Sequence, residues 1–262
     1  MINNTLVSVV IPTFNSEQTI LRTLESVLTQ KYKNIEIIMI DDGSIDNTKN
    51  LINDFFKDKT IEYKYIYQKN SGPSGARNNG VKNSNGEYIA FLDSDDEWNK
   101  DKLQIQMNII KEKKLNFLGS TYTYNQFDSI NKELVLKKFS FNQLLLKTQF
   151  STPGVIIKKD LFISLGGFDE NMKYAEDNDL WLRVAIKNDL YLIKEPKLVR
   201  LYKSAYGESG LSGNMWAMYF GELFLLKKLL QSKNLNILKY VFLFFFITVK
   251  FFRRLIKRYL IK

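Results

Sequence analysis

Apolar and polar positions along the chain follow two periods. Short β-branched runs at residues 6–11 (LVSVVI) and 35–40 (IEIIMI) read as buried strands. Between them Ile20, Leu21, Leu24, Val27 and Leu28 recur at helical spacing, capped by Asn15 or Ser16. Pro12 ends the first strand and leaves Thr13 and Phe14 in the loop. This is the strand, helix, strand start of a βαβ unit. Asp46 or Asn47 caps a second helix to about residue 56, and a third strand covers 61–67. The segment 70–75 (NSGPSG) reads as flexible, with a short helix over 76–82 behind it and an apolar strand at 88–92. Four strands joined by short helices predict a doubly wound, nucleotide-binding half.

The remainder predicts a helix over 100–113, a strand over 115–124, a polar hairpin near 128–132, a strand over 152–157 and a short helix over 160–165. Gly166 and Gly167 allow a sharp turn into a helix over 174–187 whose buried stripe is Leu180, Trp181, Val184 and Ala185. Residues 202–214, rich in Gly and Ser, read as a mobile loop able to order over a ligand. A helix over 215–231 and the segment 239–262 (KYVFLFFFITVKFFRRLIKRYLIK) follow. The expected units are 1–98, 99–214 and 215–262.

Several strands stop in acids: Asp41 and Asp42 after one, Asp93, Asp95 and Asp96 after another. In an open parallel sheet these ends line a ligand crevice, and carboxylates crowded there call for a cation or a hydrogen-bonding ligand. Asp93 and Asp95, two apart in a turn, can share one ligand through a hard cation such as Mg²⁺ or Mn²⁺. The alternative is a polar turn whose acids favour the next helix N-terminus. Asp42 with Gly43 fits a tight turn equally well, Arg77 fits either a diphosphate or one of the acids, and Asp179 fits helix capping.

Composition narrows the chemistry. With no Cys and no His, every thiolate, Cys/His zinc and Ser-His arrangement is excluded, so a general base must be Asp or Glu, with Lys or Tyr poorer candidates because their ordinary pKa lies far from neutral. Net charge is +10, and seven of the excess cations lie from residue 235 onward, where no acid occurs. The apolar run of that tail is about half the length a bilayer span needs. As a helix it gathers its cations on one side with Phe245, Phe252, Leu255, Ile256 and Tyr259 opposite, the pattern of a helix lying in an anionic membrane surface. Packing of that helix on the body is the alternative. Basic charge confined to a Phe-rich tail, and not spread over the body, argues against a nucleic-acid partner. No signal peptide is visible at the N-terminus, so the cytoplasm is the expected compartment.

Six segments, VSVVIPTFN (7–15), IDDGSIDNT (40–48), GPSGARNNG (72–80), FLDSDD (91–96), LGGFDE (165–170) and EDNDLWLR (176–183), resemble in order the motifs of glycosyltransferase family 2. The resemblance implies an α/β GT-A fold with a Rossmann-like nucleotide-binding half, a mixed central sheet and a C-terminal amphipathic membrane-associating extension. It implies an inverting transfer of a hexose from a UDP-sugar. The tail is similar to the basic C-terminal segment of bacterial enzymes that use polyprenyl-diphosphate-linked acceptors at the cytoplasmic face of the inner membrane. On this resemblance Pro12 and Phe14 line the base pocket, Asp42 binds uracil, and Arg77 lies near the base and diphosphate. Asp93, Ser94 and Asp95 form the DXD motif, with Asp95 holding Mn²⁺ or Mg²⁺ and Asp93 meeting either the ribose or the metal's water shell. Asp177, paired with Glu176, is the implied base, and Trp181, Gly167 and Asp179 are implied on the acceptor side. A non-catalytic membrane-bound subunit that binds nucleotide sugars would use the same donor residues.

Overall fold

The computed structural model describes residues 5–127, 133–203 and 213–260. The expected hairpin at 128–132, residues 204–212 of the loop expected at 202–214 and the side chain of Tyr259 lie outside the described residues.

One mixed sheet organises the chain. Its strands are β1 (Val7–Thr13), β2 (Ile35–Asp41), β3 (Tyr63–Tyr67), β4 (Tyr88–Phe91), β6 (Phe117–Ser120), β8 (Val135–Phe139), β9 (Ile156–Lys158) and β10 (Leu190–Glu195), in the order β3-β2-β1-β4-β9-β6-β10-β8. The first four are mutually parallel, β9 runs antiparallel to both β4 and β6, and β8 runs antiparallel to β10. A small second sheet joins β5 (Glu97–Trp98), β11 (Val199–Arg200) and β7 (Tyr122–Thr123). Every residue of β2 is buried, as a strand covered on both faces requires. Val10, Ile38, Ile40, Ile89 and Phe91 feed the core on one face, and Val9, Ile11, Ile37, Met39 and Ala90 feed the core on the other.

The chain leaves β1 to build β2 and β3 on one side, then returns to place β4 on the other. That reversal opens a crevice at the carboxyl ends of β1, β2 and β4. α1 (Ile20–Leu28), α2 (Thr48–Phe56), α3 (Gly72–Lys82) and α4 (Lys102–Lys113) connect the strands of this half. α3 packs so closely on β1 that a Cβ added at Gly80 would lie 2.4 Å from Val10 Cγ1.

Four local expectations are corrected. Pro12 does not end β1 but lies within it, beyond Val10, the last β1 residue paired with β4, so on that side its missing N–H breaks no ladder. Residues 72–75 are the first turn of α3, with Pro73 at its start and Ser71 and Gly72 donating their N–H groups to Asp42. The strand expected over 115–124 splits at Thr121, whose hydroxyl is bonded to the carbonyls of Ile193 and Lys194 while the chain passes between sheets. The start of the strand expected at 152–157 is a short 3-10 turn over Thr152–Gly154.

α5 (Phe141–Leu146), α6 (Lys159–Ser164) and α7 (Glu176–Ala185) complete the second half. α8 (Met215–Gln231) and α9 (Ile237–Leu260) end the described chain as an antiparallel pair, with Trp216 and Tyr219 near the start of α8 against Phe251 near the end of α9. Leu243, Ile247 and Phe251 are buried, so the tail helix does pack on the body through one stripe. Among the described residues no helix is long and apolar enough to cross a membrane.

Candidate active site

The crevice at the strand ends is a cavity of about 720 Å³. Pro12 and Phe14 from the end of β1, Asp42 from the end of β2, Arg77 from α3, and Asp93, Ser94 and Asp95 from the loop after β4 all line it. All seven residues expected on the donor side therefore share one wall.

Their hydrogen bonds separate their roles. Asp42 is buried, and its Oδ1 accepts from Gln68 Nε2 at 2.7 Å and from the Ser71 N–H at 2.8 Å. Its Oδ2 accepts from the Gly72 N–H at 2.8 Å. Gly43 follows at φ +88°, so the tight turn is real and the carboxylate also seats α3. Arg77 is 6% exposed and pairs with Asp93 at 2.7 Å and with Glu176 at 3.4 Å, so it is the partner of the acids while still facing the cavity. Its Nε is buried with no hydrogen-bond partner among the described residues.

The DSDD loop is pinned by α1 and the turn before it. Ser16 Oγ lies 2.7 Å from Ser94 Oγ, and the hydroxyls of Thr19 and Thr23 donate to the Ser94 carbonyl at 2.8 and 3.0 Å. Arg22 Nη2 donates to the Asp95 carbonyl at 2.8 Å. Ser16 was read only as a candidate helix cap, and Thr19, Arg22 and Thr23 were not singled out in the sequence; polar side chains on the inner face of an otherwise amphipathic helix and at its start were the available signal. Asp96 turns inward, where burial and then the charges of Asp93 and Asp95 push its carboxyl up to about 9. Asp93 and Asp95 keep part of their surface, 30 and 25% for the side chains.

The chemistry of this donor set fits a hard divalent cation. Asp93 and Asp95 offer carboxylate oxygen, and an ammonium, Lys203 Nζ, already stands 2.6 Å from Asp95 Oδ2. Among the described residues no group of three or more acidic, His or Cys side chains is arranged to hold a metal. Two carboxylates suffice for an ion that completes its shell with water and substrate phosphate.

Behind Arg77, α7 opens with Glu176 and Asp177 after Ala175 at φ +61°. Burial, and then the charge of Asp177, push Glu176 up to about 7 against the pull of Arg77. Burial also raises Asp177, although the Asn178 N–H donates to it at 2.7 Å. One guanidinium thus faces three carboxylates, and two of them hold protons into the neutral range or toward it.

The expected acceptor residues are not open surface. Trp181 is 2% exposed, edge-on to Phe117 and Phe168 with ring centroids 5.2 and 6.0 Å away, so it is core and not a pocket wall. Asp179 is 1% exposed and bridges Arg183 at 2.6 Å and Lys228 at 2.9 Å, so it ties α7 to α8. Gly167, at φ +68°, forms the turn beside Asn78, whose amide donates to the Phe168 carbonyl at 2.8 Å, and its own carbonyl accepts from Arg183 at 2.8 Å.

The family model for glycosyl transferase family 2 matches residues 8–161, the stretch that carries every donor-side residue above. The chain belongs to glycosyltransferase family 2. An uncharacterized glycosyltransferase of Rickettsia felis is 40% identical over 208 residues, 77% of this chain and 34% of the relative. The chain thus spans about a third of the length of that relative. The Escherichia coli protein named UDP-Glc:alpha-D-GlcNAc-diphosphoundecaprenol beta-1,3-glucosyltransferase WfgD is 31% identical over 80% of each chain. Among solved structures, Staphylococcus aureus TarS in complex with UDP-GlcNAc superposes with a TM-score of 0.71 at 22% identity, over 91% of this chain and 70% of that one. The family 2 chain therefore has a GT-A-like α/β fold built on a mixed central sheet.

Proposed function

We propose that this protein is an inverting glycosyltransferase that moves one hexose from a UDP-sugar to a sugar carried on a polyprenyl diphosphate. The reaction would form a β-glycoside during bacterial surface-polysaccharide synthesis. The observation that carries this is the meeting of Asp42, Asp93, Asp95 and Arg77 in one cavity at parallel strand ends, with the part-buried Glu176–Asp177 pair on the far side of Arg77. UDP-glucose or UDP-galactose is the preferred donor, and the name of the Escherichia coli relative, which specifies UDP-Glc and a diphosphoundecaprenol acceptor, supports the first. Residues 1–98 would hold the donor and 99–214 the acceptor. Residues 215–262 would keep the protein peripherally at the cytoplasmic face of the inner membrane, where such an acceptor resides.

Pro12 and the half-exposed Phe14 ring flank the base at the cavity mouth. Asp42 Oδ2, which takes a single hydrogen bond from the protein, retains an acceptor for a uracil N–H. Asp93 and Asp95 would hold Mn²⁺ or Mg²⁺, and the chemistry such an ion would supply is neutralisation of charge on the departing UDP. Arg77 orients Asp93 toward that position and keeps Glu176 and Asp177 from repelling the donor phosphates. Asp177, with Glu176 beside it, removes the proton from the acceptor hydroxyl as that oxygen attacks the anomeric carbon. The new carbon–oxygen bond forms opposite the bond to UDP as the latter breaks, so an α-linked donor inverts.

UDP release from a panel of UDP-sugars, with Mn²⁺ and membranes carrying polyprenyl acceptors, tests the proposal. Release with one hexose donor and transfer to lipid are expected; neither would end it. Asp95→Ala should abolish cation-dependent UDP binding, whereas Asp177→Asn should bind UDP normally and not turn over.

A further inference from the structure

α9 carries two apolar stripes, and only one of them is used by the fold. Leu243, Ile247 and Phe251 are buried against the body. Leu238, Phe242, Phe245, Val249, Phe252 and Ile256 are each more than half exposed. At a hundred degrees per residue these six fall within roughly 80° of arc, on the side away from the buried stripe. α8 adds Trp216, Phe220 and Phe224, one per turn and each about half exposed. The two helices adjoin at the start of α8, where Trp216 meets Phe251 of the buried stripe at 4.7 Å and stacks with Phe220 at 6.2 Å.

The charge around this face has one sign. Residues 223–262 contain ten Lys and Arg and no acid. The last acid, Glu222, is drawn between Lys250 at 3.8 Å and Arg254 at 3.4 Å. Lys239, Arg253 and Lys257 are exposed and follow one flank of the α9 stripe.

We propose that α8 and α9 together form one membrane-docking face, lying in the plane of an anionic bilayer with its rings at the boundary of headgroups and acyl chains. Lys239, Arg253 and Lys257 meet the lipid phosphates. Cations at 250, 253, 254 and 257 break the apolar run that a span would need. A second copy would suit the rings but not the charges, because a two-fold contact sets the same cationic flank against itself with no acid to answer it. An anionic surface answers both the apolar stripe and the cations.

The inference rests on the membrane placement proposed above and not on the transfer reaction. Trp98 and Trp181 are each 2% exposed and Trp216 is 52% exposed, so quenching by brominated acyl chains reads Trp216. With the full chain and vesicles of phosphatidylcholine and phosphatidylglycerol at about 7:3, co-sedimentation and strong quenching are expected, with Trp216→Phe still bound but unquenched. Arg253→Gln with Lys257→Gln should weaken binding about thirtyfold, and Phe245→Ser with Phe252→Ser about a hundredfold or more. Far-UV circular dichroism checks that each variant folds; the charge pair, on exposed positions, decides the matter if the serine pair does not. Equal binding to pure phosphatidylcholine, absence of quenching, or a stable dimer whose Trp216 emission is already blue-shifted without lipid would each overturn the face. Transfer to a short soluble acceptor without lipid binding would overturn the face alone, and lipid binding without transfer to any acceptor would overturn the transferase alone.

Discussion

Lys203 Nζ stands 2.6 Å from Asp95 Oδ2, and the backbone that presents it is held from four directions. The neighbouring Tyr202 ring lies between the guanidinium groups of Arg22 at 3.5 Å and Arg200 at 4.4 Å. Its hydroxyl donates to Glu97 at 2.7 Å, and its N–H is bonded to the Asp96 carboxyl. A divalent cation arriving at Asp95 has to displace this ammonium. Lys203→Ala should therefore bind Mn²⁺ about fivefold more tightly in the absence of donor, the size of a partly exposed ion pair, measured by electron paramagnetic resonance of free Mn²⁺. Unchanged or weaker affinity would mean that the ion does not use this oxygen.

Arg77 is the sole charge partner that Asp93 and Glu176 have within ion-pair distance among the described residues. Arg77→Met would leave the part-buried carboxylates of Asp93 and Glu176 without a cation between them, at a cost of about 1–3 kcal/mol in urea unfolding. Arg77→Lys keeps the charge but loses the fork that reaches both acids, and should fall between the two. A methionine variant as stable as the parent would assign Arg77 to ligand binding alone.

The Glu176–Asp177 pair should make activity and stability respond to pH in opposite directions. Glu176 titrates near 7 in the fold against an ordinary 4.5, so between those values the folded chain holds a proton that the unfolded chain has released. Its contribution to stability is complete below pH 4.5 and is lost as pH rises through about 7, by at most about 1.4 kcal/mol per pH unit for one proton. A base must be deprotonated, so kcat/KM should rise with pH as Asp177, raised by its burial, gives up its proton, and level off above that. Glu176→Gln should flatten the stability decline and, by removing a neighbouring charge, move the activity limb to lower pH. If that variant instead loses turnover while Asp177→Asn keeps it, the base is Glu176.

What was legible in the sequence is what local pattern decides. The run Ile35–Asp41 reads as a buried strand because it is apolar on both faces, and its acidic end follows from the strand's end. The DSDD loop reads as a ligand edge for the same reason. The α3 start did not, because NSGPSG is composed like a loop and becomes helix only when Asp42, some thirty residues earlier, accepts the N–H groups of Ser71 and Gly72. Asp179 was legible as a first-turn acid on α7, but its partner Lys228 comes from α8 and no local spacing announces it. The inward turn of Asp96 was hidden likewise, since three acids in a row look alike until the fold buries one of them.

Trp181 is where that distinction can be measured. The motif EDNDLWLR invites a role for the indole at the acceptor, yet its ring packs on Phe117 and Phe168 and its Nε1–H has no acceptor among the described residues. Removing an unpaired N–H sacrifices no hydrogen bond, so Trp181→Phe loses only volume and should cost about 1–2 kcal/mol. Trp181→Ala opens a cavity at the junction of α7 with the sheet and should cost about 3–5 kcal/mol. With the core still closed by phenylalanine, the KM for the lipid-linked acceptor should stay within about twofold of the parent, because less than 0.4 kcal/mol separates the two binding modes when no contact is lost. A large rise in acceptor KM for Trp181→Phe at unchanged stability would instead put the indole against the acceptor, and would require α7 to turn its buried face toward the cavity when substrate binds.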